Sequence, residues 1–165
     1  GSVASVVGFS VHAVQPPPLG LPVTLMLRGL ASFVGGVGFA VLYNAPWRTA
    51  FTVGVLALAG NELRLALQDA GAGQAPATFA GALCVGLLAS LAQHRLRERR
   101  IELTVPGIII MVPGSAALQS FVLFSRGDTL GGLQAGVTAV FVVGAMALGL
   151  AVARFASERK WLFEG

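Results

Sequence analysis

Five blocks of mostly apolar residues, each long enough to cross a bilayer and each closed by a turn signal, constrain this chain more than any other feature. A helix crossing hydrocarbon needs roughly 17–25 residues at about 1.5 Å of rise per residue. The blocks run from about Val23 to Tyr43, Arg48 to Gln68, Pro76 to Gln93, Thr104 to Phe124 and Leu130 to Phe155. Asn44-Ala45-Pro46 separates the first two, a Gly/Ala loop at 70–75 the second and third, and a short polar loop from Ser125 to Asp128 the last two. Trp47 stands where an interfacial aromatic anchor would. Backbone polar groups cannot reach water inside hydrocarbon, and a helix satisfies them within one segment. The sequence therefore predicts an all-α fold, a polytopic membrane helix bundle of about five transmembrane helices with a discontinuous fourth helix.

Composition supports this class. Only 11% of the residues are charged, where a soluble domain carries about 25%, so too few charges exist to coat a water-facing surface. The mean hydropathy is +0.80. Twenty-two glycines and eight prolines would weaken soluble helices, but small residues let membrane helices approach closely. A net charge of +4 would suggest nucleic acid in a soluble protein. Here the basic residues cluster in short loops beside the apolar blocks, so orientation in the bilayer explains them and no nucleic-acid partner is expected. With five spans, Arg48, Arg95, Arg97, Arg99, Arg100, Arg154, Arg159 and Lys160 fall on one side. Arg28, Arg64 and Arg126 fall on the other. Basic loops stay in the cytoplasm, which places the start of the first span outside and the C-terminus inside.

Three regions are expected: 1–22, the end of an upstream helix followed by a proline-rich linker; 23–155, the five-helix membrane domain; and 156–165, a cytoplasmic tail. Residues 3–14 are too short to span. Pro16-Pro17-Pro18, Gly20 and Pro22 read as a stiff non-helical connection. Residues 1–14 lack the basic start and small-x-small site of a signal peptide, and the missing initiating Met fits a processed product or a fragment.

Small residues recur at helical spacing as Ser32/Gly36/Ala40, Ala82/Gly86/Ser90 and Ala145/Gly149/Ala153. Each set lies on one face, the pattern of close membrane helix packing. Two further features bear on chemistry. Asn61, Arg64 and Gln68 share a face of the second span, while Glu62 points elsewhere, as an interfacial charge or a proton-coupling group. An arginine at the bilayer centre costs about 2.5–3.5 kcal/mol. Arg64 lies about one turn from the outer end, which leaves two readings open. It snorkels to the interface, or it faces the bundle interior and pairs a substrate carboxylate through its planar fork. The second feature is Val-Pro-Gly, present at 105–107 and again at 112–114. Proline removes a backbone donor and disrupts the preceding turn. Pro106 is compatible with a first helical turn, whereas Pro113 lies well inside the apolar run. Broken membrane helices line cavities and aim their half-helix ends at substrates.

Enzyme signatures are missing: no HExxH, GxSxG or P-loop occurs, and His12 and His94 lie far apart. Gly35-Gly36-Val37-Gly38 follows no strand, which rules out a dinucleotide loop. The lone Cys84, inside an apolar run, allows neither an internal disulfide nor a metal cluster. No cofactor, metal or catalytic residue is expected.

Several stretches occur in an order that resembles a known family. They are Gly38-Phe39-Ala40-Val41-Leu42-Tyr43-Asn44-Ala45-Pro46-Trp47-Arg48, then Gly60-Asn61-x-x-Arg64, then Ala77-Thr78-Phe79 leading to Val85-Gly86. The series ends with Val105-Pro106-Gly107 to Pro113-Gly114. Over roughly residues 30–155 the chain resembles the threonine/serine exporter family, more narrowly its C-terminal membrane half. In some members that half is a separate small subunit, working with a larger partner and implicated in succinate export. The resemblance implies an inner-membrane secondary transporter for threonine/serine-like amino acids or dicarboxylates such as succinate. It also implies a second membrane half, fused upstream or separate. Positions carried over by motif are Asn44 and Pro46 as a structural turn, and Asn61, Arg64, Pro106, Gly107, Pro113 and Gly114. Gln68 joins the expected substrate-binding set through its place on the Arg64 face. Ile108-Ile109-Ile110-Met111 departs from the family pattern, in which a proline follows the isoleucines, so the first break is expected to be softer here. A non-transporting subunit that stabilises a partner and a passive channel stand as alternatives to the exporter.

Overall fold

The computed structural model describes residues 20–96 and 100–158. All regular structure among them is helical: α1 (Leu21–Leu42), α2 (Trp47–Asp69), α3 (Gln74–Leu96), α4 (Arg100–Ile108), α5 (Gly114–Ser125) and α6 (Thr129–Glu158). A single 3-10 turn, Ile109–Met111, extends α4. α1, α2, α3 and α6 each contain a segment long and apolar enough to cross a membrane, and α4 with α5, bent by 45° at the break between them, makes a fifth if the pair counts as one broken span rather than a re-entrant loop.

Local chemistry sets the boundaries. Pro22 lies in the first turn of α1, where its missing N–H is not needed, so the helix begins at Leu21 and takes in a proline expected to belong to the linker. The rest of the 1–22 segment, through residue 19, lies outside the described residues, as do Arg97, Arg99 and most of the 156–165 tail. Asn44 turns the chain between α1 and α2 at φ 58°, a left-handed conformation that asparagine tolerates better than most residues. The Ala45 N–H closes this turn by donating to the Ala40 carbonyl. Gly71 and Gly127 occupy the same region of φ after α2 and α5. Asp128 caps α6, accepting the Gly131 N–H at 2.9 Å.

The fourth span begins at Arg100, a turn before Thr104, and its two Pro-Gly pairs behave differently. Pro106 sits inside α4 without ending it. The missing donor costs the Glu102 carbonyl its partner, yet Leu103, Thr104, Pro106 and Gly107 are all buried, and tertiary packing holds the turn. Val112 is extended, and Pro113 forms the N-terminal boundary of α5. The second pair is therefore the break.

Packing runs α1 on α2, α2 on α3, α3 on α6 and α5 on α6, with α4 and its 3-10 turn wedged against α1, α2 and α3. The centre is small: Ala40, Ala50, Val53, Ala57, Val85, Leu103 and Met111 are fully buried. Bulky apolar side chains point outward, among them Phe51, Leu91, Phe121, Val140, Phe141 and Phe155. A soluble bundle keeps such residues inside. This reversal, small within and large without, is what helices surrounded by lipid tails adopt.

The small-residue faces are the contact seams. Gly36 lies against Gly54 and Ala57, Gly86 against Ala153, and Gly149 against Phe79 and Ala82. A Cβ on Gly149 would sit 2.5 Å from the Phe79 carbonyl oxygen, whereas one on Gly144 of the same helix would meet nothing within 4 Å. Gly149→Val is expected to destabilise the bundle by about 1–3 kcal/mol through overpacking, and Gly144→Val to leave stability close to wild type. Thermal unfolding of the two variants in the same detergent checks the difference.

Candidate functional site

The break in the fourth span leaves a slot partly filled. α4 and its 3-10 turn occupy the groove between α1, α2 and α3, and α5 then turns away to pack along α6. Where α4 stops, three polar side chains join largely apolar walls. A pocket of about 270 Å³ opens there, lined by Arg28, Ala31, Ser32, Asn61, Leu65 and Ile110.

A chain of hydrogen bonds organises these walls. Arg64 donates from Nη1 to Asn61 Oδ1 (3.3 Å), Asn61 donates from Nδ2 to Ser32 Oγ (2.9 Å), and Ser32 donates to the Arg28 carbonyl (2.7 Å). Arg28 Nη1 pairs with Asp69 Oδ2 at 2.6 Å, with both side chains partly exposed. Asn61 lies one turn deeper along α2 than Arg64, so this bond draws the guanidinium inward, opposite to the direction of snorkelling. The Arg64 stem passes α3 at Gly81, where a Cβ would come within 3.1 Å of Arg64 Cβ and 3.3 Å of Met111 Sδ. Only the missing side chain at Gly81 leaves room for it.

Three buried side-chain atoms have no hydrogen-bond partner among the described residues: Arg64 Nε, Gln68 Nε2 and Glu62 Oε1. An unsatisfied buried polar atom costs about 1–3 kcal/mol, and here two of them lie on the face with the Asn61–Arg64 bond. Both are donors. With Nη1 committed to Asn61, Nε marks the edge of the guanidinium that a carboxylate engages side-on. Glu62 turns toward α1, with its buried Oε1 3.8 Å from where a Gly29 Cβ would stand, rather than away from the bundle as expected.

The structure divides the residues singled out from the sequence between two places. Asn61 lines the pocket beside Ile110, Arg64 is bonded to Asn61 behind that lining, and Gln68 follows one turn further along α2 with its Nε2 buried. Asn44, Pro46 and Pro106 line a different pocket, about 400 Å³, at the other end of α4 with Tyr43, Ile101, Glu102 and Val105. Gly107 packs between them on Val85 and Leu56. Pro113 is half-buried at the hinge and Gly114 is exposed, with open space around its Cα. Sequence reasoning missed Arg28, Ser32, Ile110 and Met111 as site residues. A cation in the first turns of an apolar span was a visible signal for Arg28. Asp69, its partner 41 residues away, was not.

Comparison with known proteins identifies a family. The family model described as "Threonine/Serine exporter, ThrE" matches residues 28–156. A curated protein of Mycobacterium tuberculosis, named "Probable threonine/serine exporter", is 31% identical over 134 residues, which cover 81% of this chain and 24% of that protein. The chain thus spans about a quarter of the length of this relative. No solved structure matches it.

The hydrogen-bond chain and the free donors should respond oppositely to apolar replacement. Asn61→Leu strands the Arg64 and Ser32 groups and is expected to cost about 1–3 kcal/mol. Gln68→Met removes an unsatisfied donor and is expected to be neutral or stabilising, as groups kept for function often are. Thermal unfolding in detergent distinguishes the two.

Proposed function

The chain belongs to the threonine/serine exporter family, and from that premise we propose that it forms one membrane half of a secondary exporter of small polar metabolites. The expected solutes are threonine/serine-like amino acids or dicarboxylates such as succinate. The observation that carries this reading is the pair of buried free donors, Arg64 Nε and Gln68 Nε2, beside the end of a broken helix. Polar atoms are left unsatisfied at membrane depth where something else satisfies them in the working cycle.

In the proposed mechanism a substrate carboxylate enters the slot beyond Ile110 and takes the free edge of Arg64, with Gln68 donating one turn further out. Asn61, itself held by Ser32, fixes the guanidinium so that little side-chain entropy is lost on binding. The Val112–Pro113 break supplies the hinge through which α4 and α5 change their angle. Substrate sites between broken helices near the membrane midplane, shared by two halves, fit this arrangement. The second half, fused or separate, completes the site.

The proposed orientation is that of a multi-pass inner-membrane protein with the start of α1 outside. Arg48, Arg95, Arg100 and Arg154 gather at the end of the bundle where α2 and α4 begin and where α3 and α6 end, and that end is assigned to the cytoplasm.

Arg64→Ala is expected to reduce export by about tenfold to a hundredfold, the worth of a charge-assisted hydrogen bond. Arg64→Lys is expected to fail similarly, because an ammonium cannot present a planar fork. Both variants should still insert into the membrane. Efflux of labelled threonine, serine and succinate from vesicles carrying the complete exporter tests this. Normal transport by Arg64→Ala would remove the carboxylate clamp.

A further inference from the structure

Of the acidic residues in the described helices, Asp69, Glu102 and Glu158 sit at helix ends, and only Glu62 lies inside a span. Roughly 10 Å of helix rise separates it from Asp69, the last residue of α2. Its Oε1 is buried and has no hydrogen-bond partner among the described residues. This oxygen lies against the α1 backbone at Gly29, 3.8 Å from where a Cβ would stand, and the Leu58 side chain comes equally close to that point. The lining of the slot does not include Glu62, and substrate binding at Arg64 leaves its carboxyl unused.

Few charges surround it. α1 packs over this side of α2, and Arg28, next to Gly29, is its one charged residue. On α2, Asp69 lies two turns further along the same side and holds Arg28 Nη1 at 2.6 Å, while Arg64 is bonded to Asn61. The charged residues of α3 and α4, Arg95, Arg100 and Glu102, lie at the opposite end of the bundle. An ionised Glu62 needs a donor at Oε1, and Arg28 is the cation that α1 offers. Held by Asp69, Arg28 does not serve it. A neutral carboxyl needs no countercharge. Arg28 also lines the slot with Ser32 and Asn61, so one guanidinium connects the substrate cavity to the surroundings of Glu62.

We propose that Glu62 binds the proton that drives export, holding it while Arg28 is paired with Asp69 and releasing it when Arg28 turns to Glu62. The inference rests on the reading of this chain as half of a secondary exporter, and it adds the ion that powers it. Ionisable groups inside membrane spans pair with one another or mark proton and ion pathways, and an exchange of Arg28 between two carboxylates does both. The exchange moves one wall of the slot, which ties the proton to the solute. With this end of the bundle outward, the proton is taken from outside and given up to the cytoplasm as a solute leaves. The only bond made and broken is the carboxyl O–H.

Dicyclohexylcarbodiimide, which reacts with protonated carboxyls in apolar surroundings, tests the site without any need for transport. In the complete exporter in bilayers, mass mapping should find the adduct on Glu62 at acidic pH, with labelling lost as the pH rises and Asp69 unmodified throughout. No adduct on Glu62 at any pH would overturn the proposal, as would follow if a cation of the second half held it ionised. In vesicles, Glu62→Gln should lose solute transport driven by a proton gradient and keep exchange of labelled for unlabelled solute, whereas Arg64→Ala should lose both. Glu62→Asp, which keeps the carboxyl, should retain gradient-driven transport. Gradient-driven transport by Glu62→Gln at the wild-type rate would overturn the proposal, and so would loss of exchange in a Glu62→Gln protein that unfolds at the wild-type temperature. If the wild-type protein moves no solute while Glu62 still labels with this pH dependence, the exporter reading falls and the proton site remains.

Discussion

The contact at Gly60 and Gly81 determines how the rest of the bundle is arranged. A Cβ on Gly81 would stand 2.7 Å from the Gly60 carbonyl oxygen, and one on Gly60 would run into Val85 and Met111. Two helices can cross this closely only where neither carries a side chain. The short distance between α2 and α3 narrows the groove that receives α4 and brings Met111 against both backbones. The same crossing leaves space for the Arg64 stem. Without it, the arginine would lose its place beside Gly81, and with it the bond to Asn61.

Hydrocarbon as the surrounding solvent explains why so much of the fold was legible in the sequence. The five expected spans match the helices to within about one turn, because the lengths of apolar runs are set by bilayer thickness. The small-residue seams could be read for the same reason, since Gly36, Gly86 and Gly149 take part in close helix contacts. The fate of each proline was harder to read. Pro22 and Pro106 both sit within helices while Pro113 interrupts one, and packing around the residue decides the outcome. Pro106 is surrounded by buried neighbours, whereas Pro113 follows an extended valine at the surface of the core.

The candidate site was legible only along α2. Helical spacing puts Asn61, Arg64 and Gln68 on one face of a single helix, so their association needs no knowledge of the fold. Contacts across helices left no such trace. Ser32 reads as one more small residue in a packing face, and its bond to Asn61 spans 29 positions. The second Pro-Gly pair and the first also end up in different surroundings, since α4 separates the slot from the pocket at Asn44 and Pro46. Similar motifs seven residues apart in the sequence thus differ in role: Pro106 lines the pocket at Asn44 and Pro46, and Pro113 marks the break beyond the 3-10 turn.

Met111 carries a consequence for ion leakage. It is fully buried, and its thioether reaches the Gly60–Gly81 crossing from the tip of the 3-10 turn. An unbranched side chain with three rotatable bonds can follow its surroundings without opening a gap. If α4 tilts as proposed, a branched residue here would break contact and admit a file of water along the vacated groove. Under the proposed tilt, methionine would keep the junction filled while the backbone moves, which would let the bundle change shape without opening a path for ions.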